Sequence, residues 1–248
     1  MNIVLVSSAL IPRSTGGVEV LTILLAEGFA RLGHSVCIIT GGGGPPRIQN
    51  GVRIIEIPEL DLPTHLKGFL MPVYAWRIQR KFRSLDEIQS ADIVNAVDLD
   101  SIISLAGWKE IQDKYIATIQ DYGLVCANGL LLDGNSVCPN HCHTKGSFGC
   151  LRKRKISLFH KAYLEIAYRI RKSYRDRKLS HIQRAICVSK FVENQIKKIH
   201  PMIKTHIIGN CLPREWWYLK DQKIERDIDI LYAGRLESFK GAEVFCDT

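Results

Sequence analysis

Asn2-Ile-Val-Leu-Val-Ser7, then Pro12-Arg-Ser-Thr-Gly-Gly-Val-Glu19, then Val36-Cys-Ile-Ile-Thr40 make up the stretch that decides the fold. The first run is aliphatic and β-branched without alternation, the pattern of a strand covered on both faces in a parallel sheet. Behind the glycine pair, Val18, Leu21, Leu24, Leu25, Phe29 and Leu32 recur at helical spacing until Gly33 ends the helix. The third run is again a buried strand. A helix between two strands acts as a crossover, so the strands are parallel and the unit is a right-handed βαβ.

Further apolar runs at residues 52–57, 92–97, 115–120, 185–188 and 205–208 predict more strands, with helix-compatible stretches between several of them. The fold expected is α/β, a Rossmann-like doubly wound parallel sheet. Residues 41–46 are only Gly and Pro, which predicts a mobile loop without regular structure after the second strand. Residues 210–226, polar and carrying Pro213, Trp216 and Trp217, read as a hinge. A new strand at residues 228–233 and a helix start at 242–247 follow it, too little to bury a core, so the chain is expected to be truncated within a second domain.

The chain has 248 residues, 46% of them hydrophobic and 24% charged, which fits a packed globular protein rather than a disordered one. Lys and Arg number 34 against 25 Asp and Glu, a formal charge of +9 that favours anionic partners. The early apolar run lacks a basic leader and stops at Pro12, so it fits neither a signal peptide nor a membrane span. The expected location is the cytosol, where eight cysteines stay reduced.

Gly16 and Gly17 stand where a helix begins after the first strand, and unpaired amides there can face a phosphate. Arg235 and Lys240, in Gly234-Arg-Leu-Glu-Ser-Phe-Lys-Gly241, stand at the carboxyl end of a predicted strand, where open α/β sheets bind ligands. A guanidinium can engage two phosphate oxygens and an ammonium adds a point charge. Asp98-Leu-Asp100 invites a metal-nucleotide reading, but with 13 Asp in the chain such a pair arises by chance.

Taken in order, Pro-x3-Gly-Gly-Val-Glu after the opening strand, Leu32-Gly-His-Ser-Val36, Cys187-Val-Ser-Lys190, Ile208-Gly-Asn-Cys211 and Gly-Arg-Leu-x3-Lys-Gly resemble retaining glycosyltransferases of family 4, which have the GT-B fold. The resemblance implies an N-terminal acceptor-side domain at residues 1–209, the hinge, and the start of a donor-binding Rossmann-like domain at 227–248. It implies a hexosyl transfer from a nucleotide-diphosphate sugar to a glycan or lipid-linked acceptor with no metal required. The acceptor hydroxyl would attack from the leaving-group side and pass its proton to the departing phosphate. Carried over, Gly16 and Gly17 offer amides to the donor diphosphate, and Arg235 and Lys240 neutralise charge growing on it. The family's histidine after the fourth-region strand is replaced here by Gln120, followed by Asp121 and Tyr122. Glutamine cannot act as a general base, which leaves Gln120 as an acceptor-positioning candidate and Asp121 as the catalytic or acceptor-positioning candidate, a loop cap being the other reading of that carboxylate. The family's Glu-x7-Glu pair is absent from these residues. The competing reading is a noncatalytic binding module or assembly subunit on the same fold.

Cys126, Cys138, Cys142 and Cys150 share one Gly/Asn-rich segment at 121–150, a candidate structural zinc set in which His141 or His143 could replace a thiolate. Unliganded thiols are the other reading, while Cys37 and Cys187, in predicted strands, are expected in the core. Residues 152–184 carry twelve Lys or Arg against Glu165 and Asp176. Phe159, Tyr163, Ile166, Ile170 and Tyr174 recur there at helical intervals, predicting a basic amphipathic helix. It either docks with its charged face solvated or attaches peripherally to an anionic membrane surface. Nucleic acid is set aside because no RNP, KH or HTH pattern is present.

Overall fold

The missing alternation in the opening run has a direct structural cause. In the computed structural model, which describes residues 1–14, 16–61, 64–126, 129–133, 136–138, 157–219, 231–234 and 240–246, that run is β1 (Asn2–Ser7) at the centre of the sheet. Its side chains alternate between two cores. Ile3 and Leu5 join a cluster with Leu10, Ala26, Val36, Ile38, Val52 and Ile54, while Val4 and Val6 join the larger cluster on the opposite face. A strand buried on both sides needs apolar residues at every position.

The chain continues through α1 (Gly17–Arg31), β2 (Ser35–Gly41), β3 (Arg47–Gln49), β4 (Val52–Ile57), α2 (Thr64–Phe82), α3 (Asp86–Gln89) and β5 (Ile93–Ala96). It then forms α4 (Leu99–Leu105), β6 (Tyr115–Ile119), β7 (Leu132–Asp133), β8 (Ser136–Val137), α5 (Leu158–Leu179), β9 (Arg184–Cys187), α6 (Lys190–Ile199) and β10 (Lys204–Ile207). The main sheet has eight strands in the order β10-β9-β6-β5-β1-β2-β4-β3, all parallel except β3, which runs antiparallel to β4. This is the expected α/β Rossmann-like sheet. Strand order reverses at β1, with β2 on one side and β5 on the other, which opens a crevice at the carboxyl ends. β3, whose three residues are all exposed, carries no sequence signal.

Residues 41–46 are more ordered than their composition suggests. Gly41 is the last residue of β2, and a Cβ there would lie 2.5 Å from the Ser8 carbonyl oxygen, so only glycine permits that approach of backbone to backbone. Gly42, with φ at +147°, donates to the Ile57 carbonyl, and Gly44 donates to Glu56 Oε2 at 3.0 Å. The loop folds over a carboxylate and is tied to the strand ends.

The chain divides into two compact units, Met1–Cys211 and Leu212–Thr248. The second holds α7 (Arg214–Leu219) and α8 (Ala242–Cys246). The stretch expected as a polar hinge thus contains a helical turn, because Trp216 and its neighbours follow Pro213 at a helix start. Of the strand expected at 228–233, residues 228–230 lie outside the described ones, and 231–233 form no ladder.

Candidate functional site

A small crevice at the carboxyl ends of β5 and β6 is lined by Val18 from α1, Val97 to Leu99 after β5, Thr118 to Asp121 at the end of β6, and Leu124. Its interior measures about 10 Å3, room for roughly one water.

Asp98 organises this floor. It is the N-cap of α4: its Oδ1 accepts the Ser101 amide at 2.9 Å, and Ser101 Oγ accepts the Asp98 amide in return. The other carboxylate oxygen accepts the Ser8 amide at the end of β1. One side chain thereby ties the carboxyl ends of β1 and β5 beside the crevice. Burial, reinforced by Asp100, pushes the Asp98 carboxyl above the ordinary carboxylate range, while the amide hydrogen bonds oppose that rise. Asp98-x-x-Ser101 is a capping-box spacing, and that signal, rather than a metal motif, explains the residue.

Gly16 is the N-cap of α1 and makes no side-chain cap bond; Gly17 opens the helix, and both are exposed. The two glycines serve different ends. A Cβ on Gly16 would lie 2.5 Å from Glu19 Oε2, whereas one on Gly17 would meet nothing within 4 Å. The Glu19 carboxylate also accepts from Ser14 Oγ and so sits beside the helix start. Among the described residues, nothing fills the space at Gly17.

Gln120 and Asp121 reach the crevice at the end of β6. Gln120 Nε2 donates to the Val97 carbonyl at 3.2 Å, bridging the ends of β6 and β5. Asp121 Oδ1 accepts the Gly123 amide at 2.8 Å and shapes the turn, while the residue itself is exposed. Tyr122 stacks edge-on against Phe191 at 5.7 Å. Arg175 of α5 reaches the same turn from outside, its Nη1 donating to the Gly123 carbonyl at 3.1 Å.

A charged cluster that the sequence does not reveal lies at the ends of β2 and β4. Arg13, from the loop before α1, pairs with Asp61, and Arg47 pairs with Glu56. The Arg47 hydrogen bond, helped by the Gly44 amide, holds the Glu56 carboxyl below its ordinary value. A Cβ on Gly42 would lie 2.9 Å from Arg13 Nη1, so this loop, Arg13 and Glu56 form one assembly.

Arg235 lies outside the described residues. Lys240 is exposed and precedes α8 in the second unit. Cys37 and Cys187 are buried in the core as expected, and burial pushes their thiols up to about 12 and about 11. Cys126 and Cys138 are also buried, and they bracket a turn in which the Gly129 amide donates to the Cys126 carbonyl and the Cys138 amide to that of Leu131. Cys142, Cys150, His141 and His143 lie outside the described residues. Among the described residues, no three His, Cys, Asp or Glu side chains are grouped to hold a metal.

An eight-stranded, mostly parallel sheet whose strand order reverses at β1 defines a class: Rossmann-like α/β proteins. Within that class the chain belongs to Glycosyltransferase Family 4, whose family model matches residues 15–216. It is 30% identical over 153 residues to an uncharacterized 42.6 kDa protein in cps region of Klebsiella pneumoniae, a match that covers 55% of this chain and 41% of that one. A trehalose-6-phosphate synthase structure, OtsA, aligns over 89% of this chain and 54% of its own at 10% identity, with a TM-score of 0.43. The chain therefore spans about half or less of the length of these two relatives.

Proposed function

We propose that the protein transfers a hexosyl group from a nucleotide-diphosphate sugar to a glycan or lipid-linked acceptor, with retention of configuration, in the cytosol. The match to Glycosyltransferase Family 4 over residues 15–216 carries this reading. In this reading residues 1–209 form the acceptor side and residues 227–248 belong to the donor-binding domain.

In this reading the Gly16 and Gly17 amides meet the donor diphosphate, where the open space at Gly17 admits an anion. Arg235 and Lys240 neutralise the charge that grows on the leaving phosphate, so the charge compensation needs no metal cofactor. Gln120 and Asp121 set the shape of the acceptor floor rather than accepting a proton, since Gln120 is neutral and Asp121 is engaged in its own turn. The same observation favours a second reading, in which the chain is a binding module or assembly subunit that holds a sugar ligand without turnover.

The two readings separate by experiment. In the full-length protein, nucleoside diphosphate release from a panel of nucleotide-diphosphate sugars is expected with a lipid or glycan extract as acceptor. Arg235→Ala and Lys240→Ala should each lower turnover by more than about tenfold. Binding of a donor without release in the unsubstituted protein would establish the noncatalytic reading.

A structural zinc on Cys126, Cys138, Cys142 and Cys150 belongs to the same proposal, because four thiols in one loop-like segment are a common zinc set. Metal analysis after reducing, metal-replete purification should find about one zinc per chain. A metal-free protein would reject the site.

A further inference from the structure

α5 faces the wrong way for a docked amphipathic helix. Its buried positions are Glu165, Ala167, Arg175 and Leu179, whereas Leu158 is 83% exposed, Phe159 91%, and Ile166 and Ile170 are exposed as well. α5 packs against α2, whose own outer face shows Val73 and Trp76. Pro72 of α2 shares an open groove with Arg169, Ile170, Ser173, Tyr174 and Arg177 of α5, so the two outer faces meet at one seam.

Exposed cations border this apolar surface, and α2 and α5 hold two carboxylates between them. Both carboxylates are neutralised on their own helix, Glu165 by Arg169 and Asp176 by Lys172 and Arg175. Arg77, Arg80 and Arg177 are exposed, and Arg80 lies over the Trp76 ring at 5.6 Å. Among the described residues no helix is long and apolar enough to cross a membrane.

We infer that the outer faces of α2 and α5 form a surface that docks onto an anionic lipid bilayer. A polyanion such as RNA would satisfy the cations but leave Phe159, Leu158 and Trp76 in water. A neutral apolar partner would bury those side chains but strand the cations. Only a surface with acidic headgroups over hydrocarbon meets both, and a helix with cations beside Phe, Leu and Trp is the form that lies in such an interface. The inference rests on this surface and not on the transfer reaction, and its test needs neither donor nor acceptor.

The test is co-sedimentation of the chain with vesicles. Binding is expected to equal parts phosphatidylcholine and phosphatidylglycerol, and to weaken on phosphatidylcholine alone or in high salt. Phe159→Asp with Ile166→Asp should reduce partitioning by roughly tenfold or more. Arg77→Gln with Arg177→Gln should reduce it by about 30-fold, the loss expected for two cations near an acidic surface. These side chains are exposed, so the thermal midpoint should stay unchanged, and the Arg pair offers a second route should the Asp pair perturb folding. Equal partitioning of the unsubstituted protein and both variants, or no partitioning at all, would overturn the proposal. So would a dimer that these substitutions dissociate in the absence of lipid, or tight RNA binding without vesicle binding.

Discussion

α1 and α5 are both amphipathic helices of the first unit, and they use their apolar sides in opposite ways. α1 buries Leu21 and Ala26 and packs Ile23, Leu25 and Phe29 against β1, β2 and β4. α5 shows Leu158, Phe159, Ile166 and Ile170 to the outside and attaches through Ala167, Tyr174 and Leu179 together with buried polar groups. Arg175, 4% exposed, donates to the Gly123 carbonyl, and Lys178 donates to the Ala106 carbonyl at 2.8 Å. Burial pulls the Lys178 ammonium below its ordinary pKa, which marks it as a pin rather than a solvated surface charge. Apolar periodicity therefore identifies an amphipathic helix without saying which side meets the core.

The contrast can be broken by substitution. The largest effect is expected in α1, where Leu21→Ala should lower unfolding stability by about 3 kcal/mol, measured by urea denaturation. Arg175→Ala should lower it by about 2 kcal/mol, because the Gly123 carbonyl loses a charged donor inside the protein. Ile166→Ala, in the exposed stripe of α5, should change it by less than about 0.5 kcal/mol. A loss at Ile166 comparable with that at Leu21 would mean that α5 docks like α1.

Acid sharpens the contrast at a third helix. In α6, Glu193 accepts from Lys190, Lys197 and Thr205, and these partners hold its carboxyl down to about 2, from an ordinary value near 4.5. A depressed carboxylate stabilises the fold above its unfolded pKa, and the contribution fades as pH falls through the folded one. Glu193→Gln should therefore be less stable than the unsubstituted protein near neutrality, with the gap closing between about pH 4.5 and pH 2. A gap that persists unchanged to pH 2 would place the effect elsewhere.

Much of the sheet is legible in the sequence because its signal is local. Apolar runs become β1, β2, β4, β5, β6 and β9, β10 forms where a strand is expected although its residues stay largely exposed, and Gly33 ends α1 with φ at +83°. The outward turn of α5 is not legible, since it depends on Arg175 finding a carbonyl that is distant in sequence. Asp98 is readable in principle: its capping-box partner Ser101 lies three residues on, yet the Asp-x-Asp pattern draws attention to Asp100 instead. The order at residues 41–46 depends on Ser8 and Glu56, which no local composition encodes. Gly16 and Gly17 fit a phosphate-facing role equally well in sequence, but among the described residues Glu19 crowds Gly16 and nothing crowds Gly17.

Gly17 therefore offers the most direct test of the donor assignment. Gly17→Val places bulk where the fold has open space, so thermal stability should hold. In the full-length protein kcat/KM for the nucleotide-diphosphate sugar should fall by more than about tenfold, since the diphosphate loses its approach to the helix amides. Undiminished kcat/KM with valine at that position would contradict a donor diphosphate bound at the start of α1.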